Sequence, residues 1–495
     1  MKYILAIDQG TTGTTAAIMD LATLNFFSHV NKEYPQIYPH PGWVEHNLND
    51  IWETVRFTVG EVLKKNNINA KDIAAIGITN QRETTCAFDK QGHPLANAIV
   101  WQDRRTSSFC DNLKLQGQEK KIKEITGLTL DPYFSSTKMH WLLKNNDNVK
   151  KASSNNLRLG NIDSFLIYKL SGNKSHCTDA SNASRTMLMD LKSATWSQEL
   201  LKLFDINQEF LPEIKNSFGE FGKTLGLDFL PDGIPITGAI GDQQSALLGQ
   251  AGIHKGDAKC TYGTGAFMLL NTGEDIVYSK NGLLTSIGLR YKNKNNYILE
   301  GSCYIAGAAV QWIRDNLNFI KDSAEIESLA NKVTSLDELK YLLVFPFFTG
   351  IGTPYWKADA KACIMGMTRD TKKEHIAYAT LEGIALSINE LINAFKADTH
   401  LEIKELRVDG GAVKNNLLME LQAAISELKI VRPKINETTV FGAALAAGIG
   451  VDAINFGDLK KTWQTEKEIS ARQDLKTYCQ EKKVLWNTFI KKIYL

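Results

Sequence analysis

The sequence predicts an α/β protein of two related halves, on three observations. Short apolar runs of strand type alternate with amphipathic helical stretches along all 495 residues, the order that builds sheets covered by helices. That length exceeds one ordinary core, at about 100–200 residues per domain. A strand–turn–strand unit with a Gly/Thr tip near the N-terminus recurs just beyond residue 250, after the glycine-rich polar stretch Gly249–Asp257, which marks a boundary. The expected division is therefore 1–250 and 251–495, each half a sheet flanked by helices.

The first unit opens on Tyr3–Ile7, followed by Gln9-Gly10-Thr11-Thr12-Gly13-Thr14 and a second apolar run, Ala16–Met19. Small residues between two such runs make a tight hairpin, not a strand feeding a helix. Asn47–Lys65 reads as a helix capped by Asn49, with Ile51, Val55, Val59 and Leu63 on one face. Ile73–Thr79 is a buried strand ending at Asn80-Gln81-Arg82-Glu83, and Pro235–Ile240 is another, ending at Gly241-Asp242-Gln243-Gln244. In the second half Lys259–Leu270 repeats the hairpin around Gly263-Thr264-Gly265. His375–Phe395 is a long helix with Ile376, Ile384, Ile388, Leu391 and Phe395 turned inward. Val408-Asp409 runs into Gly410-Gly411 ahead of a helix from Asn415.

Composition removes several classes of function. Hydrophobic residues make up 43% and charged residues 23%, the balance of a folded soluble chain. Lys and Arg total 57 against 55 Asp and Glu, a net charge of +2, so no general field draws nucleic acid or an anionic membrane. Seven cysteines without a Cys-x-x-Cys pair predict neither a disulfide framework nor a zinc cluster, and point to a reducing, cytoplasmic location. Asp8 interrupts the first apolar run where a signal peptide needs continuity, and no run reaches the roughly 18 apolar residues of a membrane span.

The polar turns carry the chemistry. A loop of small residues lets backbone N–H groups approach an anion, and threonine hydroxyls add donors. No Gly-x-x-x-x-Gly-Lys-Ser/Thr occurs, and Gly263-Thr264-Gly265 lacks the third glycine of a dinucleotide fingerprint. A tight turn alone would account for Gly10–Thr14. Asp8 just ahead of it favours an anion loop, because a carboxylate beside phosphates is what a magnesium ion needs. Arg82 and Glu83 would be a surface ion pair in most places; at the end of a buried strand they offer donors and acceptors for vicinal hydroxyls. Trp101, in Val100-Trp101-Gln102-Asp103-Arg104-Arg105, is either core or a wall for the C–H face of a small polyol. Asp242 is either a turn residue or, ahead of a cleft, the leading candidate for general base.

Two phosphate-type hairpins, one per half, followed by Asp409-Gly410-Gly411-Ala412-Val413-Lys414-Asn415-Asn416, resemble the superfamily of actin, Hsp70 and the sugar kinases. That likeness implies two actin-like (ribonuclease H-like) domains, each a mixed sheet flanked by helices, with ATP in the cleft. Tyr133-Phe134-Ser135-Ser136-Thr137-Lys138-Met139-His140-Trp141-Leu142, and Gly366-Met367 followed by His375–Glu382, are similar to the two signatures of the FGGY family of carbohydrate kinases. Asn80–Thr84, Trp101–Arg105 and Gly241–Gln244 resemble its glycerol-phosphorylating branch. The resemblance implies phosphorylation of glycerol by ATP to sn-glycerol 3-phosphate, the first step of glycerol utilisation, by a cytoplasmic homo-oligomer, dimer or tetramer. It implies that Arg82, Glu83, Tyr133, Asp242 and Gln243 bind the hydroxyls, while Trp101 and Phe267 clamp the carbon skeleton. Thr11, Thr12 and Gly13 would hold the terminal phosphates from one side and Thr264 from the other. Gly307, Gln311, Gly411 and Asn415 would line the nucleotide site, and Asp8 and Asp242 would position Mg2+, partly through water.

Two departures from the family stand out. Its glycerol-phosphorylating members usually carry arginine where this chain has Thr15, which removes a phosphate-facing cation. Where many bacterial members have a Gly-Gly-Thr-Arg segment for fructose 1,6-bisphosphate, this chain reads Leu230-Pro231-Asp232-Gly233, and no histidine lies between His176 and His254. Asp232 repels phosphate and Pro231 has no N–H, so no response to the bisphosphate is expected. Two rival readings share the ATP cleft: a family member acting on a pentulose or hexonate, and an actin- or Hsp70-like ATPase. The second leaves Arg82, Glu83 and Trp101 without a role.

Overall fold

In the computed structural model, which describes residues 2–152 and 156–495, each half of the chain builds its own mixed sheet. The first starts with β1 (Tyr3–Gln9), β2 (Gly13–Asp20) and β3 (Phe26–Glu33), an antiparallel meander. It continues with β4 (Ile73–Asn80), β5 (Phe218–Lys223) and β6 (Pro235–Gly241), in the order β5-β6-β4-β1-β2-β3. Strand β4 runs parallel to β1, and β6 parallel to β4.

The second sheet holds β7 (Ala258–Tyr262), β8 (Ala266–Gly273), β9 (Leu284–Tyr291), β10 (Lys294–Cys303), β11 (Glu405–Asp409), β12 (Lys429–Pro433) and β13 (Thr465–Ile469). Their order is β9-β10-β8-β7-β11-β12-β13. Within it β7, β8 and β10 are antiparallel neighbours, β9 pairing outside β10 at the edge, with β11 parallel to β7 and β12 parallel to β11. The five-strand plan is the same in both halves. The echo of one hairpin in the sequence thus reflects a repeated topology, and the two actin-like domains expected from it are present.

The main helices are α1 (Leu48–Lys65), α2 (Ser135–Asn145), α3 (Asp242–Gly249), α4 (Gly307–Asp315), α5 (Lys373–Thr399), α6 (Asn416–Ser426), α7 (Thr438–Gly450) and α8 (Gln473–Tyr494); α2 packs in a separate core with Ala87, Ile99 and Leu159. Asn47, not Asn49, caps α1, accepting the Asn49 N–H at 2.9 Å; Leu48 is buried and belongs to the first turn. Helix α5 is longer than the expected 375–395 stretch and is buried almost all round, ending at His400 with φ 54°. A helix wedged between a sheet and two further helices buries more than one stripe, which is why α5 packs into the same core as α6 and α8.

Strand β1 shows how the first sheet is filled. Leu5 and Ile7 pack with α1 residues, whereas Ile4 and Ala6, on the opposite face, pack with Val440, Ala443 and Ala447 of α7. The period-2 alternation of a strand with both faces covered leaves every one of these positions apolar. Helix α7 comes from the second half of the sequence yet lies on the first sheet. A Cβ on Gly77 of β4 would sit 2.0 Å from the Ala443 carbonyl oxygen, so that close approach requires glycine. Among the described residues no helix is long and apolar enough to cross a membrane.

Candidate active site

The two hairpin tips are built alike. In the first, the Gly10 N–H closes the turn onto the Gly13 carbonyl; in the second, the Gly263 N–H closes onto Gly265. Behind the first tip lies a buried polar group. The Tyr34 hydroxyl stands 2.6 Å from the Gly10 carbonyl and 2.8 Å from that of Thr11, and Gln9 and Gln36 donate to the same two carbonyls at 2.8 and 3.0 Å. The carbonyls are thus engaged on the inner side, while the N–H groups of Thr11 and Thr12 carry no hydrogen bond among the described residues. That is the arrangement of an anion loop and not of a plain turn.

The start of α4 fixes the second tip. Ala306 and Ala308 donate to the Thr264 carbonyl at 2.8 and 3.1 Å, and Gly307 donates to Gly263 at 2.9 Å. A Cβ on Gly307 would stand 2.7 Å from the Gly263 oxygen, so this predicted nucleotide residue also holds the hairpin. Gly410, at φ +92°, brings the Gly-Gly turn against Tyr262, and Gly411 beside it faces open space. Gln311 is exposed on α4. Asn415 is half-buried, and its side-chain oxygen caps α6 through the Leu418 N–H at 2.9 Å, leaving its amide nitrogen for any ligand.

The residues expected to read the polyol meet because β4 and β6 are parallel neighbours, with Asn80 opposite Gly241. Arg82–Glu83 and Asp242–Gln243 therefore emerge side by side from two strand ends, and Arg82 Nε lies 2.9 Å from Asp242 Oδ1. Glu83 has φ 62°, a left-handed conformation that costs a non-glycine residue roughly 1–2 kcal/mol and is found where a side chain must be aimed. The Glu83 carbonyl accepts from the Ser135 hydroxyl at 3.0 Å. Lys138, fully buried, donates to the carbonyls of Pro132, Tyr133 and Phe134 at 2.9, 2.5 and 3.1 Å. The segment Tyr133–Leu142 thus serves to hold Tyr133 and Glu83 in place.

Three rings form one wall. Trp101 meets Tyr133 edge-on at 5.6 Å and Phe267, from the second sheet, at 6.3 Å. The Trp101 indole N–H donates to the Thr11 hydroxyl at 2.9 Å, joining the polyol wall to the phosphate hairpin.

Three charged residues that sequence reasoning missed complete the group. Arg185 donates from Nε to Glu83 Oε1 at 2.6 Å. Glu300 of β10 binds both Arg82 and Arg185, and Lys259 of β7 donates to Gln243 Oε1 at 2.5 Å. Burial opposes ionisation of Glu300, but Arg185 and Arg82 outweigh it and hold its carboxyl down to about 2. Burial raises the Asp242 carboxyl above the ordinary aspartate range, with Arg82 opposing, so Asp242 is a stronger base than a free aspartate.

Asp8 tests whether the site suits magnesium. Burial first, then the charges of Asp242 and Glu437, push its carboxyl up to about 8. No positive charge offsets these effects at Asp8, whereas Asp242 has Arg82 beside it. Among the described residues no three His, Cys, Asp or Glu side chains form a metal cage. Two carboxylates at the foot of a phosphate site are the donor set of a Mg2+ that keeps waters and phosphate oxygens as its other ligands, and Asp8 and Asp242 fit it. Thr15 lies opposite Asp8 in the β1–β2 register, on the same face, and accepts from Asn31 at 2.9 Å. In the Leu230–Gly233 segment the Gly233 N–H is taken by the Thr224 carbonyl at 2.8 Å.

Comparison with known proteins agrees with this geometry. Residues 3–249 match the family model described as the FGGY family of carbohydrate kinases, N-terminal domain, and residues 258–451 match its C-terminal domain. The chain is 46% identical over 482 residues to the glycerol kinase of Bacillus subtilis (strain 168), covering 96% of each. It superposes on the crystal structure of Plasmodium falciparum glycerol kinase with ADP at a TM-score of 0.91, with 36% identity, over 100% of this chain and 99% of that one. The gluconate kinase of Lactobacillus acidophilus shares the fold at a TM-score of 0.89 and 22% identity, over 99% and 98% of the two chains. With both domain models matched in order and a relative 46% identical over nearly the whole length, the chain belongs to the FGGY family of carbohydrate kinases.

Proposed function

We infer that this protein transfers the γ-phosphoryl group of ATP to a terminal hydroxyl of glycerol, giving sn-glycerol 3-phosphate and ADP. The observation that carries the reading is the pairing of a hydroxyl-reading charge group, Arg82, Glu83, Asp242 and Gln243, with a three-ring wall of Trp101, Tyr133 and Phe267. That wall suits the C–H face of a three-carbon polyol, and the relatives reported above agree with it.

Asp242 accepts the proton of the attacking hydroxyl as its oxygen bonds to the γ-phosphorus and the bond to the β-phosphate oxygen breaks. The transition state is loose and the proton leaves late, so a carboxylate raised by burial suffices and positioning supplies most of the acceleration. Thr11, Thr12 and Gly13 hold the terminal phosphates from the first hairpin and Thr264 from the second. Gly307, Gln311, Gly411 and Asn415 line the nucleotide. Asp8 and Asp242 would hold the Mg2+ that comes with ATP, which would supply positive charge to offset that of the phosphates. Closure of the halves removes water before transfer. All seven cysteines are unpaired, in keeping with a reducing, cytoplasmic setting.

Coupled ADP release from the purified protein, with glycerol, gluconate, xylulose or no acceptor, tests the reading. Release that depends on glycerol is expected. Release that ignores glycerol, or responds better to a sugar, overturns it.

A further inference from the structure

Below the hydroxyl-reading residues, the second half of the chain reaches into the first. Glu300, 1% exposed on β10, accepts from Arg82 Nη1 at 2.5 Å through Oε2. Its Oε1 accepts from Arg82 Nη2 at 3.0 Å and from Arg185 Nη2 at 3.1 Å. A carboxylate that takes both terminal nitrogens of one guanidinium fixes its plane as well as its place. Arg185 is in turn bound to Glu83 through Nε, and its guanidinium lies 5.6 Å from the centre of the Tyr133 ring. One glutamate on the second sheet therefore orients Arg82 directly and Glu83 through Arg185.

What these bonds leave unpaired points to a ligand. Arg185 Nη1 is a buried donor without a hydrogen-bond partner among the described residues, in a residue 0% exposed; Arg82 Nε, equally buried, makes no bond of hydrogen-bond geometry but lies 2.9 Å from the Asp242 carboxylate. Buried donors without a partner are rare in folded proteins unless something completes them. Both nitrogens belong to the two guanidiniums that Glu300 holds from their other side. Lys259 acts alike on a neighbour: its bond to Gln243 Oε1 leaves the Gln243 amide to present its N–H groups.

We propose that Glu300 is a positioning residue for acceptor recognition, holding Arg82 and Arg185 so that the Arg82–Asp242 pair and the free Arg185 Nη1 donor meet the acceptor's hydroxyls only when the second half is docked on the first. Arg185 thereby becomes a further acceptor-contacting residue. This rests on the reading of Arg82 and Glu83 as hydroxyl binders.

The test is Glu300→Gln in the full chain, assayed by titrating acceptor at saturating ATP and ATP at saturating acceptor. The acceptor is glycerol or, if glycerol is inert with the wild type, whichever of gluconate or xylulose supports turnover; the wild-type arm judges the functional reading, and the variant arm judges this one. The acceptor KM should rise at least tenfold while the ATP KM stays within about twofold. Because Glu300→Gln leaves two buried arginines less well neutralised and could fail to fold, Glu300→Asp is the companion. It keeps the charge but is one methylene too short to span both guanidiniums, and an intermediate rise in acceptor KM is expected. An unchanged acceptor KM in Glu300→Asp, or equal rises in both KM values alongside a lowered melting temperature, would overturn the proposal and leave Glu300 a packing residue.

Discussion

Asp242 has two tasks that set opposite demands on its charge. As a base it needs a raised pKa, which burial supplies; as a partner of Arg82, 2.9 Å away, it needs to stay ionised. Asp242→Asn keeps the shape and removes both, so kcat should fall by about 10²–10⁴, and turnover near the wild-type rate would end the assignment. Arg82 and Glu83 should be matched to hydroxyls. For 1,3-propanediol, which lacks the middle one, kcat/KM should drop by the equivalent of about 1–3 kcal/mol for each group left unpaired; parity with glycerol would show that these residues do not read the polyol. Thr15 makes a third case. It stands opposite Asp8, so Thr15→Arg would place a cation beside that carboxylate and the phosphates. A charge-assisted bond there is worth about 1.5–3 kcal/mol, and the ATP KM should fall or kcat rise; no change in either would mean that another group already does this work. Arg82, Glu83 and Asp242 were legible in the sequence because each closes a recognisable buried strand. Arg185 and Glu300 were not, since their partners lie 102 and 218 residues away, and no local pattern marks a charge whose counter-charge is on another sheet.

Among the elements, the first hairpin depends on what stands behind it. His46 is fully buried there. Its Nε2 donates to the Gln36 side-chain oxygen at 2.7 Å, and its Nδ1 faces the Gln81 amide at 3.3 Å and the Tyr34 hydroxyl at 3.4 Å. Protonating Nδ1 would put a third donor among donors. Burial accordingly lowers its pKa to about 4. With the folded value below the ordinary 6.5, the neutral ring stabilises the fold above that pH, and the contribution is lost as pH falls toward 4. Between pH 7 and pH 5 the loss is about 2 kcal/mol. In His46→Gln the melting temperature should therefore fall less over that interval than in the wild type. His176, also lowered, to about 3, is present in both proteins and cancels. Equal slopes would show that His46 does not titrate in this window. The hairpins themselves were readable from Gly and Thr between two apolar runs, whereas their support was not, because Tyr34, Gln36 and His46 sit in a stretch of short irregular strands with no periodicity to read.

At the scale of the whole molecule, the repeated five-strand plan makes two sheets whose strand ends meet, and the proposed acceptor site draws on both. Trp101, Tyr133, Arg82 and Asp242 come from the first half, and Phe267, Lys259 and Glu300 from the second. One repeated hairpin was enough to suggest the duplication. The crossing of α7 onto the first sheet was not foreseen, since a helix apolar on every side carries no stripe to say which sheet it covers. A ligand that bridges the halves stabilises the native arrangement by RT ln(1 + [L]/Kd), about 2.7 kcal/mol at a hundredfold excess over Kd. Glycerol alone should therefore raise the melting temperature, in proportion to the logarithm of its concentration once saturating. The contribution of the second half is tested by Phe267→Ala, each protein being compared with its own unliganded state. If the ring from β8 closes the site over the carbon skeleton, the glycerol-induced rise at a fixed concentration should shrink to less than about half, because Kd increases while the unliganded cores remain as they are. If glycerol is held by the first half alone, the rise will be the same in both proteins, and the picture of a site assembled from two halves fails.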